Sequence, residues 1–156
     1  MANSEFMQRA VEISREKMEA NMGGPFGAVI VRNGKILAEG FNKVTSENDP
    51  TAHAEVVAIR EACSIIGDFS LKGAEIYTSC EPCPLCLAAI FWARIDRIYY
   101  ANTRGDAAEI GFDDAVLYEE IARPLESREL PIHRLEFAEA RKVFDDWMLK
   151  TDRIEY

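Results

Sequence analysis

Residues 26–41 read Phe26-Gly27-Ala28-Val29-Ile30-Val31-Arg32-Asn33-Gly34-Lys35-Ile36-Leu37-Ala38-Glu39-Gly40-Phe41. Two apolar runs, Phe26 to Val31 and Lys35 to Phe41, are divided by Arg32-Asn33-Gly34. Asn-Gly tolerates the positive φ angles of a tight hairpin turn, so this spacing predicts two antiparallel strands. A hairpin alone suits many folds; its neighbours narrow the choice.

Before it, residues 4–21 carry Met7, Val11, Ser14 and Met18 at helical spacing, with Phe6, Ala10 and Ile13 widening the stripe. Gly23-Gly24-Pro25 ends that helix. After the hairpin, residues 42–50 are polar and loop-like, and Asp49-Pro50-Thr51 marks a helix start. The helix runs to about Ile66, with Val56, Ile59 and Cys63 on its core side. Residues 74–79 read as a short strand, 83–94 as a helix, and Arg97 to Ala101 as a buried strand. From Asn102 to Ser127 the chain is acidic and weakly periodic, which implies loop plus short helices covering something. Ile132 to Leu135 would supply a fifth strand and residues 137–150 a last amphipathic helix. The order gives an α/β class: a five-stranded mixed sheet in a three-layer α/β/α domain spanning residues 1–156.

Composition sets outer bounds. At 156 residues, with 48% hydrophobic and 29% charged side chains, the chain is one domain able to bury a core. No stretch approaches the roughly 20 apolar residues of a membrane helix, and the N-terminus lacks a secretory apolar region. The expectation is a cytoplasmic protein without a membrane partner. A net charge of −9 leaves no basic face for phosphates, so no nucleic-acid partner is expected.

The four cysteines are Cys63, Cys80, Cys83 and Cys86, three of them within seven residues. In a cytosolic chain such crowding points to metal or catalysis rather than disulfides. Cys83 and Cys86 stand at i and i+3, on one face of a first helical turn where N–H groups favour thiolates. His53, in Thr51-Ala52-His53-Ala54-Glu55, offers an imidazole from the start of another helix. Three such ligands leave a tetrahedral zinc ion one position for water, the arrangement of a catalytic site. The alternative is a closed structural site with Cys80 or His133 as fourth ligand. Glu55, two residues from His53, stands where a proton carrier belongs. His-x-Glu with Pro-Cys-x-x-Cys is the signature of zinc-dependent deaminases, and the pair is far more specific than either half.

The sequence resembles the cytidine deaminase-like superfamily and, within it, the bacterial guanine deaminases. The resemblance lies in Gly23-Gly24-Pro25-Phe26-Gly27-Ala28-Val29, Asp49-Pro50-Thr51-Ala52-His53-Ala54-Glu55, Thr78-Ser79-Cys80-Glu81-Pro82-Cys83-Pro84-Leu85-Cys86, Ile110-Gly111-Phe112-Asp113-Asp114 and Glu155-Tyr156. It spans nearly the whole chain but is looser from about Val116 to Arg153. It implies a cytidine deaminase-like fold and zinc-dependent hydrolysis of guanine to xanthine and ammonia. It implies metal ligands His53, Cys83 and Cys86, and catalytic residues Glu55 and Asp114. The substrate-binding set is Phe26, Asn42, Ala54, Trp92, Asp114 and Tyr156. It further implies a homodimer whose C-terminal segment, about 137–156, crosses to cover the neighbour's active site. Cys63 and Cys80 are then packing residues.

Each role has a plainer counterpart: Phe26 and Trp92 as core aromatics, Asp113-Asp114 as a solvated turn, Tyr156 as a frayed end. The nearest rival enzyme is a tRNA adenosine deaminase, which shares the Asp49–Glu55 pattern; acidity and the bulk of Phe26 stand against it. Guanosine, a triazine or a cytosine-like base fits the same chemistry. A zinc-stabilised binding module is the reading from a different class.

Overall fold

A computed structural model describes residues 2–156. Helix α1 (Ser4–Glu19) begins at Asn3, whose side chain accepts the Glu5 backbone N–H at 2.9 Å. Strands β1 (Gly27–Arg32) and β2 (Lys35–Phe41) form the hairpin, with Asn33 at φ 54° and Gly34 at φ 72°. Helix α2 (Val44–Glu47) is a single turn inside the stretch expected to be loop. It is followed by α3 (Ala54–Ile66), β3 (Ala74–Cys80), α4 (Pro84–Trp92) and β4 (Arg97–Asn102). Three short or peripheral helices complete the chain: α5 (Arg104–Glu109), α6 (Ala115–Ala122) and α7 (Ala138–Leu149).

The sheet order is β2-β1-β3-β4, with β1 antiparallel to both neighbours and β3 parallel to β4. Parallel pairing requires a crossover, and α4 provides it. Period-two alternation along β1 divides the core in two. Ala28 and Ile30 pack with Ala54, Ala58 and Ile90 of α3 and α4, whereas Val29 and Val31 pack with Ala10 and Ile13 of α1. The result is helix–sheet–helix layering, the expected three-layer α/β/α arrangement.

Both helix layers approach closely at glycines. A Cβ on Gly27 would sit 2.3 Å from the Ala10 carbonyl oxygen, and one on Gly40 would sit 2.2 Å from that of Ala54. Helix backbone therefore rests directly on sheet backbone at these points.

Two expectations are corrected. The described residues form four strands, not five: Ile132–Leu135 has no strand pairing, and Leu135 is 88% exposed. Its apolar residues are three apart, so a strand would turn them to opposite faces and bury neither as a set. Strand β4, expected to be buried, is instead the sheet edge, with Tyr100 half exposed. Beyond Asn102 packing thins, and Phe137, Phe144 and Leu149 all lie exposed.

Candidate active site

The two sequence segments meet because α3 and α4 start at the same end of the sheet. His53 is the N-cap of α3 and Cys83 the N-cap of α4, both extended, and neither spends its side chain on capping. Pro84 occupies the first turn, where its missing N–H costs nothing. Cys86 is buried one turn further on. His53 Nδ1 lies 3.5 Å from Cys83 Sγ and 3.4 Å from Cys86 Sγ, and the two sulfurs are 3.6 Å apart. A tetrahedral zinc ion with ordinary bond lengths separates its ligands by about 3.6 Å (N to S) and about 3.8 Å (S to S). The triangle therefore has the dimensions of three corners of a zinc tetrahedron. Among the described residues His53, Cys83 and Cys86 are the group able to hold a metal.

The electrostatics agree with that chemistry. The Cys83 thiol is held down at about 4, chiefly by its hydrogen bond with Cys86, to which His53 adds a second. The same hydrogen bond, desolvation and nearby Glu55 push Cys86 upward. The His53 imidazole is raised by its hydrogen bond to Cys83 against the opposing effect of burial. Cys80 stands outside the triangle, with Sγ 3.7 Å from the Thr103 carbonyl oxygen, and burial raises its thiol to about 11. His133 lies in the exposed unpaired segment.

Glu55 is buried in the first turn of α3, with Oε2 3.2 Å from Cys86 Sγ. The Thr78 hydroxyl lies 3.1 Å from Glu55 Oε1 and 3.0 Å from the Cys80 carbonyl. Desolvation raises the Glu55 carboxyl above its ordinary range. Burial thus makes proton uptake easier beside the metal triangle, as a general acid–base group requires.

A cleft of about 750 Å³ opens over these groups. Phe26, Asn42, Ala54 and Asp114 all line it. Asn42 is buried, and its Oδ1 accepts the Gly24 and Val44 backbone N–H groups at 3.3 and 3.2 Å. Its orientation is thereby fixed, which leaves the Nδ2 donors free. The Phe26 ring meets Phe112 edge-to-face at 4.9 Å. Asp114 stands before α6 without capping it; Asp113 bonds the Ala115 N–H instead. Asp114 Oδ1 is buried without a hydrogen-bond partner, and desolvation, followed by the nearby Cys83 charge, raises its carboxyl. An unpaired buried carboxylate oxygen in a cleft is a costly arrangement that a ligand donor would relieve.

Trp92 and Tyr156 are not brought to this cleft. Trp92 lies 58% exposed at the end of α4, and its ring is 6.1 Å from that of Tyr156. Tyr156 also approaches Phe69, at 6.3 Å. Sequence reasoning gives no site role to Phe112, Glu81 or Arg104, all in the cleft lining, although Phe112 and Glu81 stand within the motifs quoted above. Thr103-x-x-Asp106 was the available signal for α5: the Thr103 side chain takes the Asp106 N–H while Asp106 takes that of Thr103, a capping box.

Comparison with known proteins extends this picture. Residues 1–102 match the family model of the cytidine and deoxycytidylate deaminase zinc-binding region. The chain is 49% identical to guanine deaminase from Bacillus subtilis (strain 168) over 156 residues, covering all of both chains. It superposes on the X-ray structure of guanine deaminase from Bacillus subtilis with a TM-score of 0.97, at 49% identity, covering 100% of this chain and 99% of that one. It is 43% identical over 108 residues to a tRNA-specific adenosine deaminase from Agrobacterium fabrum, covering 68% of this chain and 70% of the other.

Proposed function

This chain belongs to the cytidine and deoxycytidylate deaminase family, and we propose that it hydrolyses guanine to xanthine and ammonia. The observation that carries the substrate is the extent of the likeness. Similarity to guanine deaminase runs through all 156 residues, past Asn102 where the family model ends, and includes the segment bearing Asp114 and Tyr156.

His53, Cys83 and Cys86 would hold a zinc ion. When bound, it supplies a Lewis acid that brings the pKa of water to about 7 and makes it nucleophilic. Glu55 accepts the proton of the attacking water, delivers it to the ring nitrogen beside the amino-bearing carbon, and assists departure of the amine. Asp114 receives guanine's N1–H and amino group. An ionised carboxylate is acceptor-only, and guanine presents a paired donor edge that adenine lacks. The free Nδ2 of Asn42 suits the guanine carbonyl oxygen, while Phe26 packs on the ring and Ala54 forms part of the cleft wall.

The working unit in this reading is a homodimer in which residues of about 137–156 cross to the neighbouring subunit. Support comes from the exposed apolar side chains of α7 and from Tyr156 and Trp92 lying together away from their own chain's cleft. In the partner's cleft the Tyr156 hydroxyl would meet the purine edge and Trp92 would pack nearby. The acidic net charge favours a free base over nucleic acid. No helix among the described residues is long and apolar enough to cross a membrane. The cytoplasm, where thiols stay reduced, suits two cysteine ligands.

The deciding experiment is ammonia release from guanine, guanosine, cytosine, adenosine and ammeline, with zinc-loaded and chelated protein. Guanine should lead the panel and chelation should abolish turnover. A zinc-loaded protein inactive on guanine but active on another member would replace the proposed substrate.

A further inference from the structure

Asp114 can read a base only if something holds it in place, and its own side chain makes no bond that would do so. The segment that carries it, residues 104–118, contributes only Ala107 to the buried apolar core. Its anchoring comes from polar contacts at its two ends, and both converge on Glu81-Pro82, immediately before Cys83.

At the first end, Glu81 takes Arg104 twice. Its Oε2 accepts the Arg104 backbone N–H at 3.1 Å, and its Oε1 lies 3.1 Å from Arg104 Nη2. Glu81 is in turn tied to the sheet edge by its own N–H, which donates to the Asn102 carbonyl at 2.8 Å. At the second end, the Tyr118 hydroxyl donates to the Pro82 carbonyl at 3.1 Å. Arg104 bridges the ends: its guanidinium carbon lies 4.5 Å from the centre of the Tyr118 ring. Planar guanidinium can pair with a carboxylate and stack on an aromatic face at once, which an ammonium cannot match. Among the described residues Arg104 is also the one arginine or lysine lining the cleft.

We infer that Arg104 is a positioning residue for base recognition: paired with Glu81 and stacked on Tyr118, it clamps the 104–118 segment to the metal loop and so fixes Asp114. The inference rests on the reading of Asp114 as the acceptor for guanine. Between the two clamped ends lie Gly111, at φ 93°, and Phe112, which closes on Phe26. Releasing the clamp frees this loop while leaving the metal triangle and Glu55 untouched, because they stand on α3, α4 and β3 contacts.

The test compares Arg104→Gln, Arg104→Lys and Tyr118→Phe in the zinc-loaded protein, by steady-state kinetics and by amide hydrogen exchange of residues 110–117. Arg104→Gln should raise KM for guanine about tenfold, with kcat within about threefold of the parent, and should speed exchange in that segment. Arg104→Lys should recover only part of the loss, since it keeps the pairing and forfeits the stack. Adding Arg104→Gln to Asp114→Asn should change KM by less than about twofold, because the clamp acts through that carboxylate. Unchanged exchange, an unchanged KM, or penalties that multiply in the double variant would each overturn the inference. Should Arg104→Gln fail to fold, Tyr118→Phe removes a single hydrogen bond and should show the same two changes at about threefold. If the parent chain does not turn over guanine, the functional reading falls, and hydrogen exchange still decides whether the clamp exists.

Discussion

Residues up to Asn102 and residues beyond it are built on different terms. The first region holds nearly all the buried apolar side chains; of those beyond Asn102 only Ala107 belongs to the core. It also holds His53, Glu55, Cys83 and Cys86, each fixed by a helix start on the sheet. The second region contributes Asp114 and Phe112 to the cleft and leaves α7 with Phe144 70% exposed. In the proposed reading, chemistry rests on packed backbone, and selection on a layer held by polar contacts. Similarity to the tRNA-specific adenosine deaminase covers about two thirds of the chain, whereas similarity to guanine deaminase covers all of it. That difference fits a shared reaction centre with separate reading surfaces.

The contrast can be broken most forcefully at Glu55. Glu55→Gln keeps the shape and cannot carry a proton, so kcat should fall by about 10⁴ or more while zinc content and melting temperature stay near the parent's. Near-normal turnover in the zinc-loaded variant would remove the proton-carrying role from this region.

Deleting Tyr156 addresses the second region. We expect kcat/KM for guanine to fall about a hundredfold with zinc retained, from lost positioning and water exclusion. If tails are exchanged, mixing this deletion with Glu55→Gln should restore about a quarter of the parental sites, because half the dimers are mixed and each mixed dimer has one complete site. Failure of the mixture to regain any activity would leave the tail serving its own chain.

Asp114→Asn sharpens the division between reading and reacting. An amide offers donors where guanine needs acceptors, so kcat/KM for guanine should drop about 10- to 100-fold. Preference between guanine and a poorer substrate should narrow as well, and an unchanged preference would take Asp114 off the recognition surface.

The smallest effect is expected far from either role. Arg9 donates twice to Glu39, at 2.7 and 2.9 Å, and this hydrogen bond holds the Glu39 carboxyl below its ordinary 4.5. Both side chains are about a third exposed, so Glu39→Gln should cost no more than about 1 kcal/mol of stability near neutral pH. A depressed carboxyl stabilises the fold above its unfolded value and loses that contribution as pH falls. The gap between parent and variant in denaturant midpoint should therefore close below about 4.5, with guanine preference unchanged throughout.

What the sequence made legible follows the same division. The Asn33-Gly34 turn, the α1 stripe and the ligand spacing are local patterns, and local patterns survive folding intact. Long elements in the first region announce themselves by periodicity. Helices α5 and α6 span six and eight residues, too short for a stable period, and α5 was marked only by its capping box. Ile132–Leu135 reads as a strand by composition, yet among the described residues no strand pairs with it. The expected burial of β4 fails for a related reason: Ile98 and Tyr99 are apolar whether or not another strand follows. Trp92 and Tyr156 share the expected substrate-binding set, with Tyr156 expected over the neighbour's site, and no local pattern marks Trp92 as lying outside its own chain's cleft. Arg104 and Glu81 are 23 positions apart, and nothing in their spacing signals that they meet.

The close approach at Gly40 bears on how this protein tolerates change. The Ala54 carbonyl against which Gly40 rests belongs to the residue between His53 and Glu55. An alanine there has no free space to enter, so the start of α3 must lift off the sheet and carry both functional side chains with it. In a survey scoring every substitution for activity, position 40 would rank beside Glu55 although it performs no chemistry. Metal content would separate the two, being retained when Glu55 is changed and reduced when Gly40 is. A gene bank sorted by activity alone would therefore mistake a scaffold contact for a catalytic one at this position.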